Sequence, residues 1–263
     1  MGRAPCPGSV MPCNADRGDR PVSLTPFVHL DTSLAGAGCG AAVGLSSQER
    51  QHLTRVLRLG PGAAVEVSDG EGWVAGAELL SDGVRLTGDA LLQPALRPRL
   101  VLAQALPKGR KLDEVLRQAT ELGVDEIRVL TTARSVPRLE EARASKAQAR
   151  WQAVVRAASE QARRPRRPAV TGPLSLERLA RDDELLLIAH PGAPGLPGVA
   201  EALVGADAVV LAVGPEGGFS DSEVADAVTG GALAVGLGDA VLRPEHAGAA
   251  GLAVLAAAVG RWG

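Results

Sequence analysis

The 263-residue chain has no tyrosine, two phenylalanines and three tryptophans, so aromatic residues make up only 2 % of it. Its core must be built from Ala, Val and Leu, and few rings are available to stack on bases, which leaves any nucleic-acid binding to Arg and Lys. Cysteine is scarce as well: Cys6, Cys13 and Cys39 are odd in number and lack C-x-x-C spacing, so neither a disulfide framework nor a zinc site is expected. His29, His52, His190 and His246 are too scattered for a metal-binding pattern. Long apolar runs are missing too. The longest, near residues 247–260, is too short and too rich in Ala and Gly to span a bilayer, and the N-terminus has no apolar signal core. Together these absences predict a soluble, cytoplasmic protein with no metal and no membrane partner. A net charge of −2 excludes a uniformly basic surface but not a local basic patch.

What is present predicts two domains behind a tail. Residues 1–21 hold Pro, Gly, Asp and Arg without apolar periodicity, the pattern of a flexible segment. Across 22–93, the short segments Ala63–Ser68, Trp73–Leu80 and Val84–Leu86 are separated by "DGEG" and "SDG", which are hairpin signals. A small β-barrel-like domain is expected there, with one helical stretch at "SSQERQHLTRVLR". "LLQPALRPR", with two prolines, reads as the linker. Over 99–263 apolar strands alternate with helices: "LVLAQAL", "EIRVL", "LLLIA", "AVVLAV" and "ALAVGL" are strand candidates, and helices are expected near 112–122, 146–163, 221–229 and 245–260. Such alternation predicts a parallel sheet covered on both faces.

Ligands of parallel sheets sit where loops leave the carboxyl ends of strands. Three loops qualify: "AHPGAPG" (189–195), "GPEGGFS" (214–220) and "GLGDAVLRPEHA" (236–247). Ser220 followed by Glu223 has capping-box spacing, which places a helix start after the second loop. A phosphate cradle would want a lysine there, yet the loop carries Glu216 and no G-x-x-x-x-G-K pattern. No G-x-G-x-x-G follows the first strand of the α/β region either, which argues against dinucleotide binding. By spacing alone, the loops fit equally a plain strand–loop–helix connection and a small-molecule site. Basic residues gather at Lys108, Arg110 and Lys111 and at Arg163, Arg164, Arg166 and Arg167, with Arg55 and Arg58 in the first domain. Each group is either a solvated element end or a footprint for phosphates.

Taken in order, "HLTRVLRLGPGAAVEVSDGEG", "PKGRKLDEVLRQATELGV", "EQARR", "GPEGGFSDSE" and "LGDAVLRPEHA" resemble the RsmE family of 16S rRNA uridine-N3 methyltransferases, over about residues 26–262. The resemblance implies an N-terminal PUA-like β-barrel and a C-terminal SPOUT α/β domain with a trefoil knot. It also implies homodimerisation, S-adenosyl-L-methionine as cofactor, and 16S rRNA or the small ribosomal subunit as partner. Carried onto this chain, the cofactor residues are His190 and Pro191 in the first loop, Gly214, Pro215, Glu216, Gly217 and Gly218 in the second, and Leu237, Gly238, Leu242 and Arg243 in the third. Arg243 is the expected stabilising cation for the uridine anion, with Glu121 and Glu160 as bases or orienting groups, and the basic residues above as RNA contacts. The chain departs from the family at His246, where a Thr is usual, and at Thr25–Pro26 before Phe27, where the family often has Arg. Methylation at another RNA position, such as a ribose 2′-hydroxyl, and a non-catalytic assembly role are the alternatives.

Overall fold

A computed structural model describes residues 25–109, 111–135, 141–179 and 183–262; the predicted tail and Arg110 lie outside them. The chain divides into two compact units, Met1–Ala95 with Arg163–Arg166, and Leu96–Ala162 with Arg167–Gly263.

The first unit is a six-stranded sheet of β1 (Phe27–His29), β2 (Ala42–Gly44), β3 (Ala64–Ser68), β4 (Trp73–Leu79), β5 (Gly83–Leu86) and β6 (Leu91–Leu92), in the order β1-β3-β4-β5-β2, with β6 also on β4. The β3–β4 hairpin turns at "DGEG" because Gly70 and Gly72 take positive φ, at 79° and 110°. Asp69 Oδ1 closes the turn by accepting from the amides of Glu71 and Trp73, at 2.8 and 3.2 Å. Alternate residues Val65, Val67, Ala75, Ala77 and Leu79 form the core with Val28, Leu30 and Leu53. Helix α1 (Ser47–Gln51) starts at a capping box of Ser46 and Glu49 and runs on as a π-helical stretch, His52–Val56. Cys39 is disulfide-bonded, which corrects the expectation of no disulfide; Cys6 and Cys13 lie outside the described residues.

The second unit is built on β7 (Arg99–Ala105), β8 (Glu126–Thr131), β9 (Ala169–Ser175), β10 (Glu184–Ala189), β11 (Ala208–Val213) and β12 (Leu233–Val235), all parallel in the order β12-β10-β11-β7-β8-β9. Its helices are α2 (Lys111–Glu121), α3 (Glu141–Gln161), α4 (Ala200–Leu203), α5 (Asp221–Thr229) and α6 (Pro244–Ala258). Both faces of the sheet are buried, which is why its strands read as continuous apolar runs. Leu100, Leu102, Ile127, Val129 and Leu211 face the core that also contains α2, α3 and α6 residues, while Val101, Ala103, Ile188, Val210 and Ala212 pack with Phe219 and Ala232. Among the described residues no helix is long and apolar enough to cross a membrane.

Candidate functional site

The carboxyl ends of β10, β11 and β12 release the three glycine-bearing loops together. The first and third are joined backbone to backbone. His190 N donates to Val235 O at 3.0 Å, Gly236 N to Pro194 O at 2.7 Å and Leu196 N to Gly236 O at 3.3 Å, with a parallel bridge between Gly195 and Gly236. A Cβ at Gly236 would lie 2.5 Å from Ala193 O, so only glycine permits this approach. The middle loop turns on itself, with Gly218 N donating to Pro215 O at 2.8 Å and Gly218 at φ 67°. It ends in the expected capping box: Ser220 Oγ accepts from Glu223 N, and Glu223 Oε2 accepts from Ser220 N.

A further loop, after β8, pins the middle one, and sequence reasoning missed it. Arg134 Nη1 donates to Gly217 O and Phe219 O at 2.7 and 3.1 Å, and Ala133 N donates to Glu223 Oε1 at 2.8 Å. No local motif marks these residues, because their partners lie more than 80 positions away.

Charge gathers at the same edge. Glu216 Oε1 accepts from Lys108 N at 3.1 Å and lies 4.0 Å from Lys111 Nζ, which is 2.9 Å from Glu245 Oε1. Glu245 is buried in the first turn of α6. Its hydrogen bond to Lys111, helped by a backbone bond, holds its carboxyl below the usual carboxylate range. The folded pKa is thus below the unfolded one, so the pair's contribution to stability is complete above about pH 4.3 and is lost as pH falls through the folded value. Glu245→Gln is therefore expected to flatten the acid limb of a stability-against-pH curve measured by denaturant titration; an unchanged limb would refute the pairing.

Arg243 is exposed and is the N-cap residue of α6, ahead of Pro244, with its carbonyl accepting from His246 N and Ala247 N at 2.9 Å each. Leu237 and Leu242 pack partly buried against the core, and Gly238, at φ 116°, exposes bare backbone. The residues carried over for the cofactor thus fall on three loops at one sheet edge.

The two expected glutamates do not join them within one chain. Glu121 is the last residue of α2, ten positions from Lys111 and so about 15 Å along the helix at ~1.5 Å per residue. Glu160 is in the last turn of α3, paired with Arg156 at 3.4 Å. Both helices end where the chain re-enters the sheet at the amino ends of β8 and β9, at the edge opposite the loops. Periodicity could not show which end of a helix a residue would occupy relative to the loops.

The arginine cluster also has internal partners. Arg163 pairs with Glu66, donates to Thr25 O at 2.6 Å and lies over the Phe27 ring, 5.4 Å from its centroid. Arg166 donates to Gln93 O at 3.0 Å and rests on Gly72, where a Cβ would meet its guanidinium at 2.6 Å. Arg164 O is 2.9 Å from His29 Nε2, and Arg164 and Arg167 are half-buried. Arg55, Arg58 and Lys108 are exposed.

Two family models match: an RNA methyltransferase domain over residues 95–256 and an RNA methyltransferase PUA domain over 45–83. The Ribosomal RNA small subunit methyltransferase E of Mycobacterium bovis is 33 % identical, over 85 % of this chain and 89 % of that relative. A Legionella pneumophila structure in complex with SAM superposes with a TM-score of 0.80 at 29 % identity, covering 89 % of this chain and 98 % of the other. The Neisseria gonorrhoeae Ribosomal RNA small subunit methyltransferase E bound to S-adenosyl methionine gives 0.79 at 27 %, covering 89 % and 97 %. With its PUA-like first unit, its parallel-sheet second unit and these matches along most of its length, the chain belongs to the small-subunit rRNA methyltransferase E family of RNA methyltransferases.

Proposed function

We propose that this protein methylates N3 of a uridine in 16S rRNA, using S-adenosyl-L-methionine. The observation that carries the reading is the union of three glycine loops at one sheet edge in a chain of this family. The site fits the cofactor. A Cβ built at Gly192, Gly218 or Gly238 meets nothing within 4 Å, so backbone lies open for close approach; Leu237 and Leu242 supply apolar wall, and Glu216 a carboxylate suited to a cation. His190 and Pro191, residues 214–218, and Leu237, Gly238, Leu242 and Arg243 would hold it, and when bound it supplies an electrophilic methyl group. The backbone bonds between Gly236 and the first loop support a threaded, knotted path.

Uridine N3 carries a proton that must leave, and the resulting anion needs a cation. We assign that cation to Arg243, at the start of α6. Its replacement by Ala is expected to lower kcat/KM about 10²-fold or more. The first unit, with Arg55 and Arg58 exposed, serves as the RNA-binding domain, and the location is cytoplasmic. Two copies pair through the outer face of α6, where Val254 is 45 % exposed.

The test incubates the protein with labelled cofactor and naked 16S rRNA, assembled 30S particles or 70S ribosomes, followed by nucleoside analysis. Label in 3-methyluridine is expected. Label on a ribose 2′-oxygen would replace this reading with the alternative methylation, and no cofactor binding at millimolar concentration would favour an assembly role.

A further inference from the structure

Lys111 differs from a phosphate-binding lysine in what surrounds it. It opens α2, its side chain is 41 % exposed, and Glu245 from α6 holds its ammonium at 2.9 Å with a side chain only 10 % exposed. Glu216 approaches from the middle loop at 4.0 Å, too far for a hydrogen bond, so it acts through charge alone. Among the described residues, the other charged groups near the pair on these elements are Lys108, whose amide donates to Glu216, Arg243 at the N-cap of α6, His246 on α6, which acts on Glu245, and Asp113 and Glu114 on α2, which pair with Arg150 and Arg117. An ammonium has three donors. One is committed to Glu245, which leaves others for the open side of the site.

Two carboxylates around one ammonium make a poor lure for phosphate, whose full charge they repel at all times. A uracil ring is neutral until its N3 proton leaves, and only then does negative charge spread onto its oxygens. A cation fixed beforehand, with its own charge balanced, suits this later demand. Among the described residues, Glu245 Oε2 is buried with no hydrogen-bond partner, a costly arrangement for a carboxylate oxygen. Its other oxygen, Oε1, is the one that holds the Lys111 ammonium.

We propose that Lys111 is a catalytic cation that contacts the uracil oxygen as the base loses its N3 proton, and that Glu245 is its positioning residue. The assignment rests on the uridine-N3 reading above. In the step, the N3–H bond breaks and the proton passes to water. The nitrogen lone pair forms the new N–CH3 bond, and the S–CH3 bonding pair stays on sulfur, which becomes a neutral thioether. Lys111 keeps its proton throughout.

The test uses full-length protein and the RNA that the wild type methylates. Single-turnover rates for wild type, Lys111→Met, Lys111→Arg and Glu245→Gln are followed from pH 6 to 9.5 at saturating cofactor, alongside RNA affinity across salt concentrations and cofactor affinity by calorimetry. Lys111→Met is expected to lose about 10²-fold in rate at neutral pH, with RNA affinity and its salt slope unchanged and the deficit shrinking as pH rises and N3 ionises unaided. Lys111→Arg recovers part of the rate, and Glu245→Gln gives a smaller deficit with the same pH trend. Weaker RNA binding with a shallower salt slope and an unchanged rate would show a phosphate contact instead, and a deficit independent of pH would show a structural role. Should Lys111→Met fail to bind cofactor or to fold, the pH trends of Lys111→Arg and Glu245→Gln decide, and profiles parallel to wild type overturn the assignment. A wild type that leaves uridine N3 unmethylated sinks the underlying reading; a wild type that methylates it while the variants' profiles stay unmoved sinks this assignment alone.

Discussion

Gly236→Ala is expected to weaken S-adenosyl-L-methionine binding about ten- to hundredfold while leaving a folded protein. The added methyl group would sit 2.5 Å from Ala193 O and 3.4 Å from Ala193 C, and a backbone carbonyl cannot swing aside as a side-chain tip can. Overpacking of this kind costs about 1–3 kcal/mol, and each 1.4 kcal/mol is tenfold in binding. The strain falls on the stitch itself: Gly236 N to Pro194 O at 2.7 Å and Leu196 N to Gly236 O at 3.3 Å are the bonds that the separating loops would lose first. Gly236, unlike Gly238, is not in the positive-φ region, so alanine there tests contact rather than backbone conformation. Calorimetric affinity and thermal denaturation measured on the same preparation check it. A melting temperature lowered by several degrees with lost binding fits; affinity within twofold of wild type would show that the joined loops do not form the cofactor pocket.

Much of this architecture was legible because one physical pattern dictated each part. Strands buried on both faces give unbroken apolar runs, so β7, β8, β10 and β11 stood out, and a capping box announced α5 at Asp221–Thr229. β9 (Ala169–Ser175) escaped, because Gly172–Pro173 interrupts it and a strand interior normally excludes proline. It is accommodated at a sheet edge, with a register shift between Arg128 and Leu130. Glycine spacing and Glu216 singled out the loops, since those residues are local. The Lys111–Glu245 pair was not legible, because it links the starts of two helices more than 130 residues apart, and each residue alone reads as an ordinary first-turn charge. Arg163 and Arg166 read as either solvated charge or a phosphate footprint, yet they belong with the first unit through Glu66, Thr25 and Gln93. Nothing in a charge count distinguishes a guanidinium offered to phosphate from one already satisfied by carbonyls.

Arg128→Met is expected to destabilise the second unit by about 3–5 kcal/mol, the cost of breaking a buried ion pair from one side. Arg128 is 1 % exposed. Its guanidinium meets both oxygens of Glu126 at 2.8 and 3.0 Å, both oxygens of Glu184 at 2.6 and 2.7 Å, and Leu179 O at 3.0 Å. Burial alone would lower its pKa, but the hydrogen bonds to Glu184 and Glu126 outweigh that and raise it. Methionine fills similar volume, so the expected loss comes from charge rather than from a cavity. Glu184, with a fully buried side chain, would lose this guanidinium and keep the weaker pairing with Arg99, 3.1 Å away and one-third exposed. At about 2–4 °C per kcal/mol, the melting temperature should fall on the order of 10 °C, and a loss below 1 kcal/mol in denaturant titration would refute the cluster as drawn. The triple change Arg128→Met, Glu126→Leu, Glu184→Leu should recover most of the loss, because it removes the stranded charges together with their partner. Arg99, Glu126 and Glu184 open their strands, so the cluster lies at the amino edge of the sheet, away from the loops. Below its melting temperature, Arg128→Met should therefore keep near-wild-type cofactor affinity, whereas Gly236→Ala loses affinity with a smaller thermal effect. That opposite pairing of outcomes would separate what holds this sheet together from what it presents to its ligand.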